Sequence, residues 1–276
     1  MQEIEIIETF QKPKGMSSPC EDRLVLYEDF VAVIDGATAK GQLLWNGHTS
    51  GFRAAQIIEN VLHKLAARAT IYDFTESATE AIHGYYNSFN RTSIVSKKNE
   101  ERLTASVVVF SRQRKEIWMI GDCIFRINGI NYRNDKLVDK HLARIRSEVD
   151  LFLLRNGHTT YSLQQNDIGR AFISNALHDL QYFGNADESC EYSYAVIDGF
   201  KTDMSKTICM SVPEHSEIVL ASDGYPELFG SLTETEEYLQ RMLQADPLCI
   251  SENKQTKGLM KGNDSYDDRT YVRFII

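Results

Sequence analysis

Apolar positions recur along this chain with two different periods, which together predict groups of strands separated by groups of helices. Polar and apolar residues alternate at the N-terminus, which predicts a strand over 2–10 and not a continuous apolar leader. Apolar residues recur three and four positions apart from Phe52 to Leu65 and from Leu142 to Leu153, as on the buried face of a helix. The second of these helices is predicted to stop at Asn156-Gly157.

Shorter patterns of the same kind predict the remaining elements. Further strands are predicted at 23–28, 30–35, 103–110, 115–120, 123–127, 130–133, 192–197, 206–211, 216–221 and 270–276. Further helices are predicted at 73–89, near 167–181, and from Thr233 to Pro247. Thr233 and Glu236 have the spacing of a capping box, and Pro247 would end that helix. The polar stretch 252–268 predicts a loop.

This order of elements favours one class of fold. A doubly wound parallel sheet needs strict alternation of strand and helix, which the chain lacks. Runs of strands broken by helices predict an α+β protein with two stacked, mostly antiparallel sheets and helices outside. Because no linker is evident, residues 1–276 are predicted to form a single domain.

Composition and charge narrow the range of partners. Thirty basic residues against 39 acidic ones give a net charge of −9, so a nucleic-acid partner is not expected. No apolar run has the length of a membrane span, so no membrane partner is expected either. The five cysteines are scattered without a CxxC pair, which argues against zinc and against a disulfide framework. We therefore expect a reducing, cytoplasmic location.

The candidate chemistry lies in acidic residues at the ends of predicted strands. They are Glu21, Asp22, Asp35, Asp122, Asp223, Asp267 and Asp268. Each has an ordinary explanation by itself, such as an Asp-Gly turn or a helix cap. A buried carboxylate is unfavourable unless something compensates its desolvation, and a hard divalent cation is the usual reason to gather several. Together they predict a metal-dependent hydrolase.

Other motifs support no competing site. Asp198-Gly199 repeats the pattern of Asp35-Gly36, but its context predicts only a turn. The seven histidines show no HxH or HExxH grouping. Neither GxSxG nor GxxxxGK[ST] occurs, so serine hydrolases and P-loop proteins lose support.

The ordered set of motifs resembles the PPM/PP2C family of metal-dependent Ser/Thr phosphatases. The motifs are Glu21-Asp22, Asp35-Gly36, Thr104-Ala105-Ser106, Gly121-Asp122, Ser222-Asp223-Gly224 and Asp267-Asp268-Arg269-Thr270. The resemblance implies a four-layer α-β-β-α sandwich with helix pairs flanking the two sheets. It also implies hydrolysis of phosphoserine or phosphothreonine in a phosphoprotein, by water held between two Mn²⁺ or Mg²⁺ ions.

The resemblance further implies a role for each acidic residue. Asp35 would bridge the two metals, while the Gly36 carbonyl and Asp223 would each bind one. Asp267, and not Asp268, would complete the first site, because Thr270 matches the family's threonine three residues on. Two further roles are implied: Glu21 and Asp22 would act mainly through metal-bound water, and Asp122 would hold a third, weaker ion.

Departures from the family pattern leave two alternatives open. Ala37-Thr38-Ala39 stands where the family has histidine or methionine and then glycines, so no general acid is offered there. No arginine precedes Glu21-Asp22, where Lys12 and Lys14 are the nearest cations. The chain could instead be a pseudophosphatase that serves as a binding or regulatory module, or a phosphatase for small molecules. Segment 150–200 is expected to choose the substrate.

Overall fold

Two five-stranded antiparallel sheets form the centre of the computed structural model, which describes residues 4–16, 19–38, 40–186 and 190–276. Sheet I has the strand order β1-β10-β9-β6-β7, and sheet II has the order β2-β3-β4-β5-β8. The strands are β1 (Glu5–Lys12), β2 (Arg23–Leu26), β3 (Phe30–Gly36), β4 (Ala105–Ser111), β5 (Glu116–Ile120), β6 (Ile124–Ile127), β7 (Ile130–Arg133), β8 (Ile208–Ser211), β9 (Glu217–Ala221) and β10 (Arg269–Ile275).

Seven α-helices accompany the sheets in the described part of the chain. They are α1 (Ser50–Lys64), α2 (Ile71–Ser88), α3 (Thr92–Val95), α4 (Leu137–Arg155), α5 (Thr160–Gln165), α6 (Ile168–Asp179) and α7 (Leu232–Ala245). A capping box between Thr70 and Asp73 starts α2. Among the described residues, no helix is both long and apolar enough to cross a membrane.

The apolar core lies in three layers. Between the sheets, side chains such as Val33, Phe110 and Phe274 are fully buried. The outer face of sheet II packs against α1 and α2, and that of sheet I packs against α7. Helices α4 and α6 pack against each other in a smaller cluster of their own. The α+β sandwich of two antiparallel sheets with outer helices is therefore confirmed.

Two local predictions need correction. The run 192–197 is buried but forms no strand, because it meets β4 through a single bridge between Ile197 and Ala105. Helix α7 is capped by Ser231, whose hydroxyl accepts the Glu234 N–H at 3.2 Å. Glu236, the predicted capping partner, instead pairs with Arg269. Predictions that involve residues 2–3 and Ala39 fall on positions outside the described residues.

The antiparallel pairing brings many strand ends to one edge. In an antiparallel sheet, the end of one strand lies beside the start of its neighbour. Ile34 of β3 pairs with Arg23 of β2, so Asp22 lies close to Asp35. In sheet I, Ala221 at the end of β9 pairs with Tyr271 near the start of β10 and with Ile124 at the start of β6. The acidic residues next to these ends therefore gather at one place.

Gly36 lets the end of β3 pass close to the start of α1. A Cβ on Gly36 would lie 2.5 Å from the Gly51 carbonyl oxygen and 2.6 Å from that of Glu21. Both contacts are to backbone atoms, which a side-chain rotation cannot relieve. Position 36, directly after Asp35, therefore requires glycine.

Gly36→Ala should lower the free energy of unfolding by about 2 kcal/mol or more, because the added methyl group overpacks this contact. Gly84→Ala is the matched control, since no atom lies within 4 Å of the Cβ position there, in the interior of α2. That change should be neutral or stabilising by up to about 1 kcal/mol. Denaturant unfolding of both variants measures the difference, and equal stabilities would contradict the close packing at Gly36.

Candidate metal centre

Four of the predicted acidic side chains line one cavity at this edge of the sheets. The cavity has a volume of about 280 Å³, and Asp35, Asp122, Asp223 and Asp267 are among its lining residues. Asp35 and Asp122 come from sheet II and the turn that leaves it, whereas Asp223 and Asp267 flank neighbouring strands of sheet I. The cavity therefore lies where the two sheets meet.

Asp35 and Asp223 are the two carboxyl groups of the cavity whose ionisation is disfavoured. Burial raises the pKa of Asp35 well above its usual range, and the charges of Asp22 and Asp267 raise it further. Burial likewise raises the pKa of Asp223, and the charge of Asp35 adds to the effect. Without a cation, the pair therefore holds a proton that isolated carboxylates would release.

Asp267 is in the opposite electrostatic situation. Burial alone would raise its pKa, but the Lys257 and Lys14 ammonium groups outweigh that effect and lower it to about 2. Lys257 Nζ contacts one carboxylate oxygen, and Lys14 Nζ lies 3.4 Å from the other. Asp267 is therefore ionised and paired with protein cations.

Asp122 also has partners within the protein. One of its oxygens accepts the Ser106 hydroxyl at 2.6 Å, and the other lies 2.9 Å from Lys136 Nζ. Burial opposes ionisation, but Lys136 and Ser106 outweigh it, so the pKa of Asp122 is lowered. The third ion expected at Asp122 stays a prediction, and an ammonium group occupies one side of that carboxylate here.

Glu21 and Asp22 lie behind the cavity and do not line it. Thr49 donates its hydroxyl to the Glu21 carboxylate, and Thr270 donates to Asp22 at 2.9 Å. Burial raises the pKa of Asp22 to about 8, and the charge of Asp268 contributes. Both acids are therefore placed to influence the cavity from behind it.

Asp268 has a structural position beside the cavity. Its two oxygens accept the backbone N–H groups of Lys14 and Glu21, each at 2.8 Å. It thereby fastens the segment before β2 to the segment before β10. In the same loop, Asp267 lines the cavity, and the choice of Asp267 over Asp268 as a ligand stays a prediction.

Cys20, Asp22 and Asp268 form a second group, whose ligand atoms lie within 4.8 Å of one another. Burial raises the pKa of the Cys20 thiol to about 12, and the charge of Asp22 adds to the rise. The thiol therefore stays protonated, whereas a metal ligand would be a thiolate. Because Asp268 already accepts two backbone bonds, we assign this group a structural role.

Asp198 lies outside the cavity. It is buried against Arg102, with Oδ2 at 2.8 Å from Nη1, and its other oxygen accepts the Phe200 N–H at 3.0 Å. Gly199 follows it with φ +83°, as in a turn. Asp198 is not among the residues that line the cavity, and its lack of a role in the site stays a prediction.

Several basic residues that no sequence motif marks also line the cavity. Lys40, Lys136, Arg170 and Lys257 all line it beside the acidic group. Lys136 directly precedes α4, Arg170 lies in the first turn of α6, and Lys257 lies in the loop before β10. None of these residues belongs to a sequence motif. The only sequence signal for them is the frequency of lysine and arginine in the segments near the predicted site.

The donor set suits a hard divalent cation. Carboxylate oxygens of Asp35, Asp223 and Asp267 are the oxygen ligands that Mg²⁺ and Mn²⁺ prefer. Gly36 is not among the residues that line the cavity, so its carbonyl as a ligand stays a prediction. The thiol of Cys123, near Asp35 and Asp223, is fully buried and its pKa is raised well above the usual value, so it offers no thiolate. A cation would relieve the repulsion that raises the pKa values of Asp35 and Asp223.

Comparisons with known proteins define the fold class. The chain is similar to the serine/threonine phosphatase PstP/Ppp of Mycobacterium tuberculosis, at 13% identity and a TM-score of 0.50, over 100% of this chain and 99% of that one. PppA, described as a regulatory component of the type VI secretion system of Pseudomonas aeruginosa, is 10% identical over 98% of this chain and 96% of its own, at a TM-score of 0.48. The PstP catalytic domain in complex with two manganese ions is 12% identical over 99% of each chain, at a TM-score of 0.47.

No protein-family model matches the sequence, and no curated protein sequence matches it. At such low identity, the structural likeness establishes the fold alone. The chain therefore has a divergent PPM/PP2C-like fold, which confirms the resemblance at that level.

Asp35→Asn should raise the melting temperature of EDTA-treated protein at pH 8, because it removes a carboxyl group whose pKa is raised by burial and repulsion. This penalty is absent below the unfolded pKa near ~4 and grows as the pH rises toward the raised value. The variant should also lose its stabilisation by Mn²⁺.

Asp198→Asn should do the reverse. It should keep the stabilisation by Mn²⁺ and lower the free energy of unfolding by about 3 kcal/mol, because Arg102 is left unpaired. Thermal melts with EDTA and with Mn²⁺ compare the two, and an Mn²⁺ shift in Asp35→Asn equal to that of wild type would contradict the ligand role.

Asp267→Ala should weaken Mn²⁺ binding at least about ten-fold, because it removes an ionised oxygen ligand. Asp268→Asn should change Mn²⁺ affinity by only a few-fold, yet destabilise the fold by about 1–3 kcal/mol. The amide has one acceptor oxygen where two N–H groups need one each. Calorimetric titration and unfolding measure both effects. Loss of Mn²⁺ binding in Asp268→Asn, but not in Asp267→Ala, would reverse the assignment.

Proposed function

We propose that this protein is a metal-dependent phosphatase that hydrolyses phosphoserine or phosphothreonine in phosphoproteins. The observation that carries the proposal is the convergence of Asp35, Asp223 and Asp267 on one small cavity. The raised pKa values of Asp35 and Asp223 support it, because perturbed carboxyl groups in a cleft are characteristic of functional sites. The PPM/PP2C-like fold supports the proposed function by analogy alone.

Each acidic residue has a specific task in this proposal. Asp35 lies between the two sheets and would bind both Mn²⁺ or Mg²⁺ ions, while Asp223 and Asp267 would each complete a site from sheet I. The Gly36 carbonyl would be a further ligand. Asp22 and Glu21 would orient water from behind the cavity. When bound, the divalent cations would lower the pKa of water and neutralise charge on the phosphoryl oxygens.

Lys257 would have to leave Asp267 when a cation binds there. Its ammonium group would then be free within the same cavity, where it can bond to an anionic substrate. At Asp122, Lys136 already supplies a positive charge. We therefore propose two resident ions and an ammonium group in place of a third.

The same lysines favour a second candidate function. Because Lys257 and Lys136 each contact a predicted metal ligand, the protein could hold its fold without divalent ions. It would then be a pseudophosphatase that binds phosphorylated partners without hydrolysing them. The altered 37–39 segment, which lacks the histidine of a general acid, points the same way.

Hydrolysis of p-nitrophenyl phosphate and of a phosphothreonine peptide should require Mn²⁺ or Mg²⁺ and stop with EDTA. Asp223→Asn should lower kcat by about 10³-fold or more, because it removes a ligand worth several kcal/mol of transition-state stabilisation. Asp264→Asn is the matched control, since that aspartate is exposed and pairs with Lys12 at 2.6 Å. Its turnover should equal that of wild type.

Three outcomes separate the candidates. Metal-dependent turnover that Asp223→Asn abolishes supports the phosphatase. Mn²⁺ binding without turnover of either substrate favours the pseudophosphatase. Turnover that ignores both EDTA and Asp223→Asn would falsify the proposed site, and faster turnover of small phosphate esters than of peptides would favour a small-molecule phosphatase.

A further inference from the structure

Three cations from separate segments line the same cavity. Lys40 follows β3, Arg170 lies in the first turn of α6, and Lys257 lies in the loop before β10. We call these three residues the basic cluster. Burial lowers the pKa of Lys40 to about 7, and the positive charges of Arg170 and Lys257 contribute. Lys40 is therefore repelled by the other two cations, and the charges of Asp139 and Asp267 offset only part of this effect.

Two members of the basic cluster have no acidic partner in contact. Among the described residues, no carboxylate lies within 4.0 Å of the charged groups of Lys40 or Arg170. Lys40 Nζ donates to the Thr38 carbonyl at 3.1 Å, and Arg170 Nη1 donates to the Thr256 carbonyl at 2.7 Å. An ammonium has three N–H donors and a guanidinium has five, so most of their donors have no protein acceptor.

Hydrogen bonds hold the start of α6, and with it Arg170, in place. Asp167 caps α6 by accepting the Arg170 N–H at 2.7 Å. The fully buried Arg146 bonds to Asp167, with Nη2 at 2.8 Å from Oδ2, and to the Leu248 carbonyl at 2.8 Å. The start of α6 is thereby fastened to α4 and to the segment after α7. The Thr256 carbonyl accepts a hydrogen bond from Nη1 and positions the guanidinium itself. A positioned guanidinium loses less entropy on binding than a mobile one.

Repelling cations in a buried position are unfavourable unless an anion compensates them. A phosphate dianion offers two negative charges and several acceptor oxygens, and guanidinium and ammonium groups both bind it well. A cavity of about 280 Å³ is at the lower limit for small-molecule pockets, so it suits one phosphoryl group better than a nucleotide. The basic cluster also adjoins Asp267 through Lys257.

We propose that Arg170 and Lys40, together with Lys257, bind the phosphoryl oxygens of the phosphoserine or phosphothreonine substrate. This inference rests on the proposed function and names the residues that recognise its substrate. It supplies the phosphate-binding cation that the segment before Glu21 lacks. Lys14, the nearest candidate there, is engaged by Asp267 and Asp268 instead.

Calorimetric titration with inorganic phosphate, in saturating Mg²⁺, measures this site directly. Arg170→Met and Lys40→Met should each weaken phosphate binding about ten-fold or more, as expected for the loss of a hydrogen bond to a charged group. Arg144→Met is the control, because Arg144 is exposed on α4 and pairs with Glu148. Its phosphate affinity should match that of wild type.

Two further readouts exclude a purely structural effect. Arg170→Met and Lys40→Met should bind Mn²⁺ as tightly as wild type or more tightly, because each removes a positive charge near the cavity. With a phosphothreonine peptide, they should raise KM. Arg170→Lys, which keeps the charge, should recover part of the phosphate affinity. Melting temperatures identify any variant whose fold is lost.

The results also separate this inference from the proposed function. Phosphate affinities within two-fold of wild type in both folded variants, or no phosphate binding by wild type, would overturn the basic cluster as an anion site. If wild type hydrolyses no phosphate ester but binds phosphate through Arg170, the proposed function fails and the anion site stands. If turnover is normal while both variants bind phosphate as wild type does, only the anion site fails.

Discussion

The arrangement of the site is constrained by the repulsion between carboxyl groups gathered at one edge of the two sheets. Asp35 and Asp223 have raised pKa values because burial and neighbouring charges disfavour their ionised forms. The fold tolerates this cluster through protein cations, since Lys257 and Lys14 offset Asp267 and Lys136 offsets Asp122. These carboxyl groups destabilise the fold, and a role in binding a cation would explain why they are gathered there.

Antiparallel pairing is the means by which distant residues reach this edge. Asp35 and Asp267 are separated by most of the chain. Asp35 lies at the end of β3 in sheet II, and Asp267 lies just before β10 in sheet I. Gly36 allows close backbone approach at β3, and Gly121, with φ +92°, turns the chain from sheet II to sheet I ahead of Asp122. The acidic residues are thereby fixed by strands, whereas the basic cluster comes from loops and a helix.

This division explains what sequence reasoning could predict. Asp35 and Asp223 each end a short apolar run, so their strand context is visible locally, and both lie in the cavity. Ser231 and Thr233 both have glutamate three residues on, and only tertiary contacts of Glu236 with Arg269 decide between them. The contact of Lys257 with Asp267 depends on a loop without a periodic pattern, so no sequence pattern predicts it.

The central claim is that these carboxylates form a divalent-cation site. The most direct measurement is anomalous scattering at the manganese edge from a crystal of the protein soaked in Mn²⁺. The account predicts manganese bound by Asp35, Asp223 and Asp267, with the Lys257 ammonium displaced from Asp267. Absence of manganese at Asp35, with Lys257 still against Asp267, would contradict it, as would manganese only between Cys20, Asp22 and Asp268.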